Sequence, residues 1–95
     1  MKKLSQEVFE KQLEDLMDEF DFESVHKAMI ALEWVWYSTE DSIPTISELR
    51  KSARRLLRDA YNGSSNFRAT GGFEAQVFED GISLKFVVSE WGEWN

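Results

Sequence analysis

The sequence predicts an α+β domain: three helices followed by a C-terminal β-hairpin packed on them. Three observations carry that reading. Apolar residues recur at helical spacing through residues 4–20 and 22–37. The string Pro44-Thr45-Ile46-Ser47-Glu48 opens a third amphipathic run that closes on Asn62-Gly63. Two alternating segments, near residues 73–77 and 82–86, then flank Glu79-Asp80-Gly81, whose Asp-Gly pair is a hairpin signal.

The chain has 95 residues, enough for one small core, so residues 1–95 are read as a single domain. Apolar residues form 42% and aromatic residues 14%, which argues against a disordered chain. There is no cysteine, so neither a disulfide nor a thiolate metal site is available. The opening residues Met1-Lys2-Lys3-Leu4-Ser5-Gln6-Glu7 turn acidic at once, unlike a signal peptide, and no apolar run approaches the ~20 residues of a membrane span. The expectation is a cytoplasmic protein without a membrane partner.

The first helix is expected over residues 4–20. Ser5 serves as N-cap, Glu7 lies in the first turn, and Leu4, Val8, Leu13, Leu16, Met17 and Phe20 form the apolar seam. Asp21 can cap a second helix over residues 22–37, with the seam Phe22, Val25, Met29, Leu32 and Trp36. Ala28, Ile30, Ala31, Trp34, Val35 and Tyr37 make this helix apolar almost all round, which predicts a place at the centre of the domain. Residues 38–42 read as a polar loop.

Pro44 bars Ile43 from helical geometry, and Thr45 with Glu48 forms a capping box, so the third helix is expected over residues 45–62. Its core face is Ile46, Leu49, Ala53, Leu56, Leu57 and Ala60, and Gly63 is expected to end it in left-handed geometry. Residues 64–72, rich in serine, threonine and glycine, read as a mobile loop. The hairpin is expected over residues 73–91. Phe73, Ala75 and Val77 share one face, as do Ile82, Leu84, Phe86 and Val88, while Phe78 and Val87 fall on the opposite one.

Charge is unevenly distributed around a net of −7. Through Asp41, Asp and Glu outnumber Lys and Arg eleven to four. Between residues 42 and 63 the balance reverses: Arg50, Lys51, Arg54, Arg55 and Arg58 face only Glu48 and Asp59. Arg50, Arg54 and Arg58 recur every four residues and line one helical stripe, with Lys51 and Arg55 beside it. Such a helix can enter a nucleic-acid groove. It can equally pair with the acidic first helix, within one molecule or across a homo-oligomer, and the acidity of the whole chain favours that pairing over nucleic acid.

Little in the sequence points to catalysis, and no enzyme activity is expected. His26 is the only histidine, and no cysteine accompanies it to complete a zinc ligand set. Asp15, Asp18, Glu19, Asp21 and Glu23 form the densest carboxylate cluster, but they line a helix face instead of converging in a cleft. Gly71-Gly72 precedes a strand and is no phosphate loop, and no cofactor is expected. Trp34 and Trp36 lie two residues apart and point in different directions. Trp91 and Trp94 can clasp the domain or anchor in a partner's pocket.

The motifs Pro44-Thr45-Ile46-Ser47-Glu48-Leu49-Arg50, Thr70-Gly71-Gly72-Phe73 and Leu84-Lys85-Phe86-Val87-Val88-Ser89-Glu90-Trp91 resemble small accessory proteins of tailed bacteriophages and prophages. The likeness spans about the second half of the chain, brings no catalytic residues, and implies provenance more than activity. Taken with the acidic surface, it leads to the expectation of a phage-type interaction protein. Such a protein would bind, and inhibit, a host protein with a basic surface, such as a defence nuclease. Its expected partner-binding residues are Glu14, Asp15, Asp18, Glu19, Trp91 and Trp94. The alternatives are a nucleic-acid-binding regulator using Arg50, Lys51, Arg54, Arg55 and Arg58, and an immunity-type partner of a basic toxin.

Overall fold

A computed structural model describes residues 4–31, 43–63, 65–70 and 72–87. The elements run α1 (Gln6–Glu19), α2 (Phe22–Ala31), α3 (Ile46–Asn62), β1 (Phe67–Thr70), β2 (Phe73–Val77) and β3 (Ile82–Phe86). The class is α+β, with the helices preceding the strands and the sheet packed on them. The sheet has three strands in antiparallel order β1-β2-β3, not the two of a lone hairpin. Among the described residues no helix is long and apolar enough to cross a membrane.

Each helix begins where its capping chemistry places it. The Ser5 hydroxyl accepts a hydrogen bond from the Val8 amide at 3.3 Å. Asp21 accepts from both the amide and the hydroxyl of Ser24, at 3.0 and 2.6 Å. At α3 the box is reciprocal: the Glu48 amide donates to Thr45 Oγ1 at 3.2 Å, and the Thr45 amide donates to Glu48 Oε1 at 2.8 Å. Two otherwise orphaned amides are thereby satisfied.

The central element is α3. α1, α2 and all three strands pack against it. Its buried stripe, Leu49, Ala53, Leu56, Leu57 and Ala60, recurs at three- and four-residue steps, and small alanines between leucines let the sheet approach closely. Among the described residues it is α3, and not α2, that holds the centre. In its described part α2 buries only Phe22, Val25 and Met29, and Ile30 lies 51% exposed. A seam at three- and four-residue spacing supplies one buried face, and α2 spends it on α3. Leu32, Trp34, Val35, Trp36 and Tyr37 lie outside the described residues.

The seam of α1 also differs from the expected one. Phe9, Leu13 and Met17, spaced by four, are buried, whereas Val8 is 42% exposed. Phe9 continues the four-residue spacing of Leu13 and Met17, which Val8 does not, and the ring buries more apolar area than the isopropyl group. Phe9 stacks on Tyr61 with ring centroids 4.2 Å apart, and the Tyr61 hydroxyl donates to the Leu4 carbonyl at 2.6 Å.

The expected mobile loop at residues 64–72 contains β1. Phe67, Arg68, Ala69 and Thr70 are mostly exposed, so this edge strand turns no face into the core although its residues alternate apolar and polar. Where β1 meets β2, Thr70 stands opposite Phe73. Gly72 has φ 90°, a conformation that costs residues with a Cβ. Gly63, by contrast, ends α3 in extended geometry (φ −85°, ψ 174°), not left-handed. What it provides is room: a Cβ there would overlap the Arg68 guanidinium and lie 2.9 Å from the Asp59 carbonyl.

β2 and β3 pair antiparallel, and the residues expected to share a face do so. Phe73 stands opposite Phe86, Ala75 opposite Leu84 and Val77 opposite Ile82. This face covers α3, and Phe73 meets Phe22 and Phe20 at 6.3 and 6.2 Å. The reversal runs over Glu79 and Asp80, with the Phe78 amide donating to the Gly81 carbonyl at 2.7 Å. Gly81 thus closes the turn as its fourth residue without left-handed geometry. Leu49 and Leu56 are buried in the core, Phe86 is partly buried against it, and Leu32 lies outside the described residues.

Candidate acidic docking face

α1 and α3 lie antiparallel, and charge is sorted along their seam. The Arg58 guanidinium forms a two-pronged contact with Glu10, at 2.6 and 3.0 Å. One turn away, Arg54 meets Glu14 at 2.5 Å. One turn further, Arg50 donates to the Met17 carbonyl at 3.1 Å near the C-terminal end of α1, with its guanidinium carbon 5.3 Å from the centre of the Phe22 ring. A four-residue step on each antiparallel helix keeps the partners in phase. The Arg58 hydrogen bond holds the Glu10 carboxyl below its ordinary range, and Glu10 raises Arg58 in return.

This arrangement separates the expected site residues into groups. Arg50, Arg54 and Arg58 are turned onto α1 of the same molecule, while Lys51 and Arg55 remain exposed on the neighbouring stripe. Glu14 is tied to Arg54. Asp15, Asp18 and Glu19 are exposed, and among the described residues Asp15 has only Lys11 within ion-pair range, at 3.9 Å. His26 is half-buried on α2. Trp91 and Trp94 lie outside the described residues.

Asp15 and Glu19 border a shallow groove of about 210 Å³ between α1 and β3, lined by Gln12, Asp15, Leu16, Glu19 and Ile82. Residues 12, 15, 16 and 19 follow three- and four-residue steps and so form one stripe of α1, adjacent to the arginine-bound stripe. Leu16 and Ile82 give the groove an apolar floor, and the two carboxylates give it an anionic rim. Such a shape receives a side chain with an apolar stem and a cationic head. The helical half of this stripe is written in the sequence. Ile82 is not, because it joins the groove only after the sheet sets β3 beside α1.

No known protein family, curated protein or solved structure matches the chain.

Proposed function

We propose that the protein is a binding module that docks a protein with a basic surface onto the α1 face carrying Asp15, Asp18 and Glu19. One observation supports this reading above others. The three stripe arginines of α3 are spent inside the molecule on Glu10, Glu14 and the Met17 carbonyl, so they leave the neighbouring carboxylates uncompensated. Opposite charge steers a basic partner to that face and holds it there. In the narrower form of the proposal, the carboxylates occupy a groove otherwise used by nucleic-acid phosphate, which makes the protein an inhibitor. The likeness to phage accessory proteins makes a bacterial lysate the natural source of partner.

The test is capture from that lysate by the wild-type chain and by two variants. Asp15, Asp18 and Glu19 replaced together by lysine should abolish capture while leaving the fold intact, because none of the three is buried. Lys51 and Arg55 replaced by glutamate should leave capture unchanged. If the second variant loses the partner and the first retains it, α3 carries the interface. Duplex DNA titrated across salt then tests the nucleic-acid reading, which requires affinity that falls steeply with ionic strength.

A further inference from the structure

The two edges of the sheet are chemically unlike. The Val77 amide donates to the Asn66 carbonyl, so residues 66 and 77 form a hydrogen-bonded pair and the backbone groups of Phe67 and Ala69 point away from β2. That outward edge is plugged. Ser65 Oγ accepts from the Phe67 amide at 3.3 Å and donates to the Phe67 carbonyl at 3.4 Å, and Arg68 donates to the same carbonyl at 3.1 Å.

Among the described residues, Ile82 and Leu84 of the β3 edge carry no such plug. The bonds from the Val87 amide to Gly72 and from the Phe78 amide to Gly81 set the phase of this ladder. Ile82 and Leu84 therefore fall at non-hydrogen-bonded pairs, with their amides and carbonyls directed away from β2. Among the described residues no group hydrogen-bonds them. Alongside them lies the groove floored by Leu16 and Ile82 and rimmed by Asp15 and Glu19. A strand added here would extend the sheet across α1.

We propose that the β3 edge is a strand-addition site for an extended basic segment of the partner, paired antiparallel to β3. The proposal rests on the basic-partner reading above and deepens it. Residues of the incoming strand opposite Ile82 and Leu84 exchange backbone hydrogen bonds with them and turn their side chains toward α1. Lysine or arginine at those positions lays its stem on Leu16 and Ile82 and its charge between Asp15 and Glu19. The intervening positions face the opposite side of the sheet. The backbone supplies pairing and the acidic stripe supplies selection.

The probe is a peptide of about seven residues alternating lysine and valine, long enough to pair along the whole of β3. It is compared with two versions, one N-methylated at every lysine and one at every valine. In the free protein the Ile82 and Leu84 amides should exchange rapidly with solvent deuterium. The unmodified peptide should slow both. Methylation at lysine should weaken binding about tenfold or more, since it deletes the donors aimed at β3, and methylation at valine should change little.

Equal binding by both methylated peptides, with no protection at Ile82 or Leu84, overturns strand addition and leaves the basic-partner reading standing. Absence of peptide binding, in a protein that still captures a partner through Asp15, Asp18 and Glu19, does the same. Loss of that capture-dependence instead overturns the basic-partner reading itself. Protection of the two amides before any peptide is added also refutes the proposal. If that protection grows with protein concentration, a second copy occupies the edge.

Discussion

Replacing Phe9 with alanine tests the register of α1 more sharply than any other change, because Val8 beside it is a built-in control. Phe9 is 1% exposed and stacked on Tyr61, whereas Val8 is 42% exposed. Truncating a buried phenylalanine costs about 3–5 kcal/mol, of which the stacked pair accounts for roughly 0.5–1.5 kcal/mol. A domain of this size loses ~4–8 °C of melting temperature per kcal/mol, so Phe9→Ala should lower the midpoint by about 12 °C or more. The same loss is about a fifth or more of the ~5–15 kcal/mol that holds a typical domain together. Val8→Ala should stay within about 0.5 kcal/mol of wild type, since an exposed alanine also favours helix. Urea unfolding followed by far-ultraviolet circular dichroism reads both variants, with an unchanged denaturant slope certifying that only stability has moved. If Val8→Ala is the more damaging change, α1 is rotated from the position described and the Glu10–Arg58 and Glu14–Arg54 pairs fall with it.

Thr45→Ala should cost about 1 kcal/mol, because it deprives the Glu48 amide of its partner; chemical denaturation measures it. Gly72→Ala should destabilise by about 1–2 kcal/mol through its φ of 90°, while Gly81→Ala, whose new methyl group would find ordinary contact 3.4 Å from Gln12 Oε1, should do little. A larger effect at Gly81 would refute the turn assignments. Acid should destabilise the fold through two carboxyls held below their ordinary values, Glu10 by the Arg58 hydrogen bond and Asp21 by the Ser24 hydroxyl and amide. Their unfolded forms bind protons more readily, so their contribution is present above the ordinary carboxylate range and is lost as pH falls through the depressed folded values. Glu10→Gln should make that loss shallower in thermal melts taken between about pH 6 and pH 2; an unchanged acid limb would mean the pair contributes nothing in solution.

The helices were legible because their signals are local. Ser5, Asp21 and Thr45 cap within three residues, and the α3 seam repeats along a single segment. β1 was not legible for the opposite reason. It is only four residues long and mostly exposed, so the alternation in Phe67-Arg68-Ala69-Thr70 marks no buried face, and its hydrogen bonds are made to β2. In the candidate site, the carboxylates and arginines could be read as stripes. Which stripe faces inward depended on the antiparallel packing of α1 on α3, and Ile82 entered only through the sheet. The seam of α1 was legible in part: Phe9 lies four and eight residues before Leu13 and Met17 while Val8 is followed by Lys11 and Gln12, and Tyr61 then completes the buried side of Phe9.

The plugged β1 edge has a bearing on assembly. A sheet with two receptive edges can pass its pairing from molecule to molecule and grow into a filament. Here Ser65 terminates one side, with Ala69 alone left outward on a four-residue strand. Strand addition as proposed at β3 would then stop after one step: either one foreign strand, or a second molecule turned about a twofold axis so that both β3 edges are used up. Growth has a beginning and no next step. One serine hydroxyl thus works as a chain terminator, and its removal should appear as higher-order species in sedimentation well before it appears as lost stability.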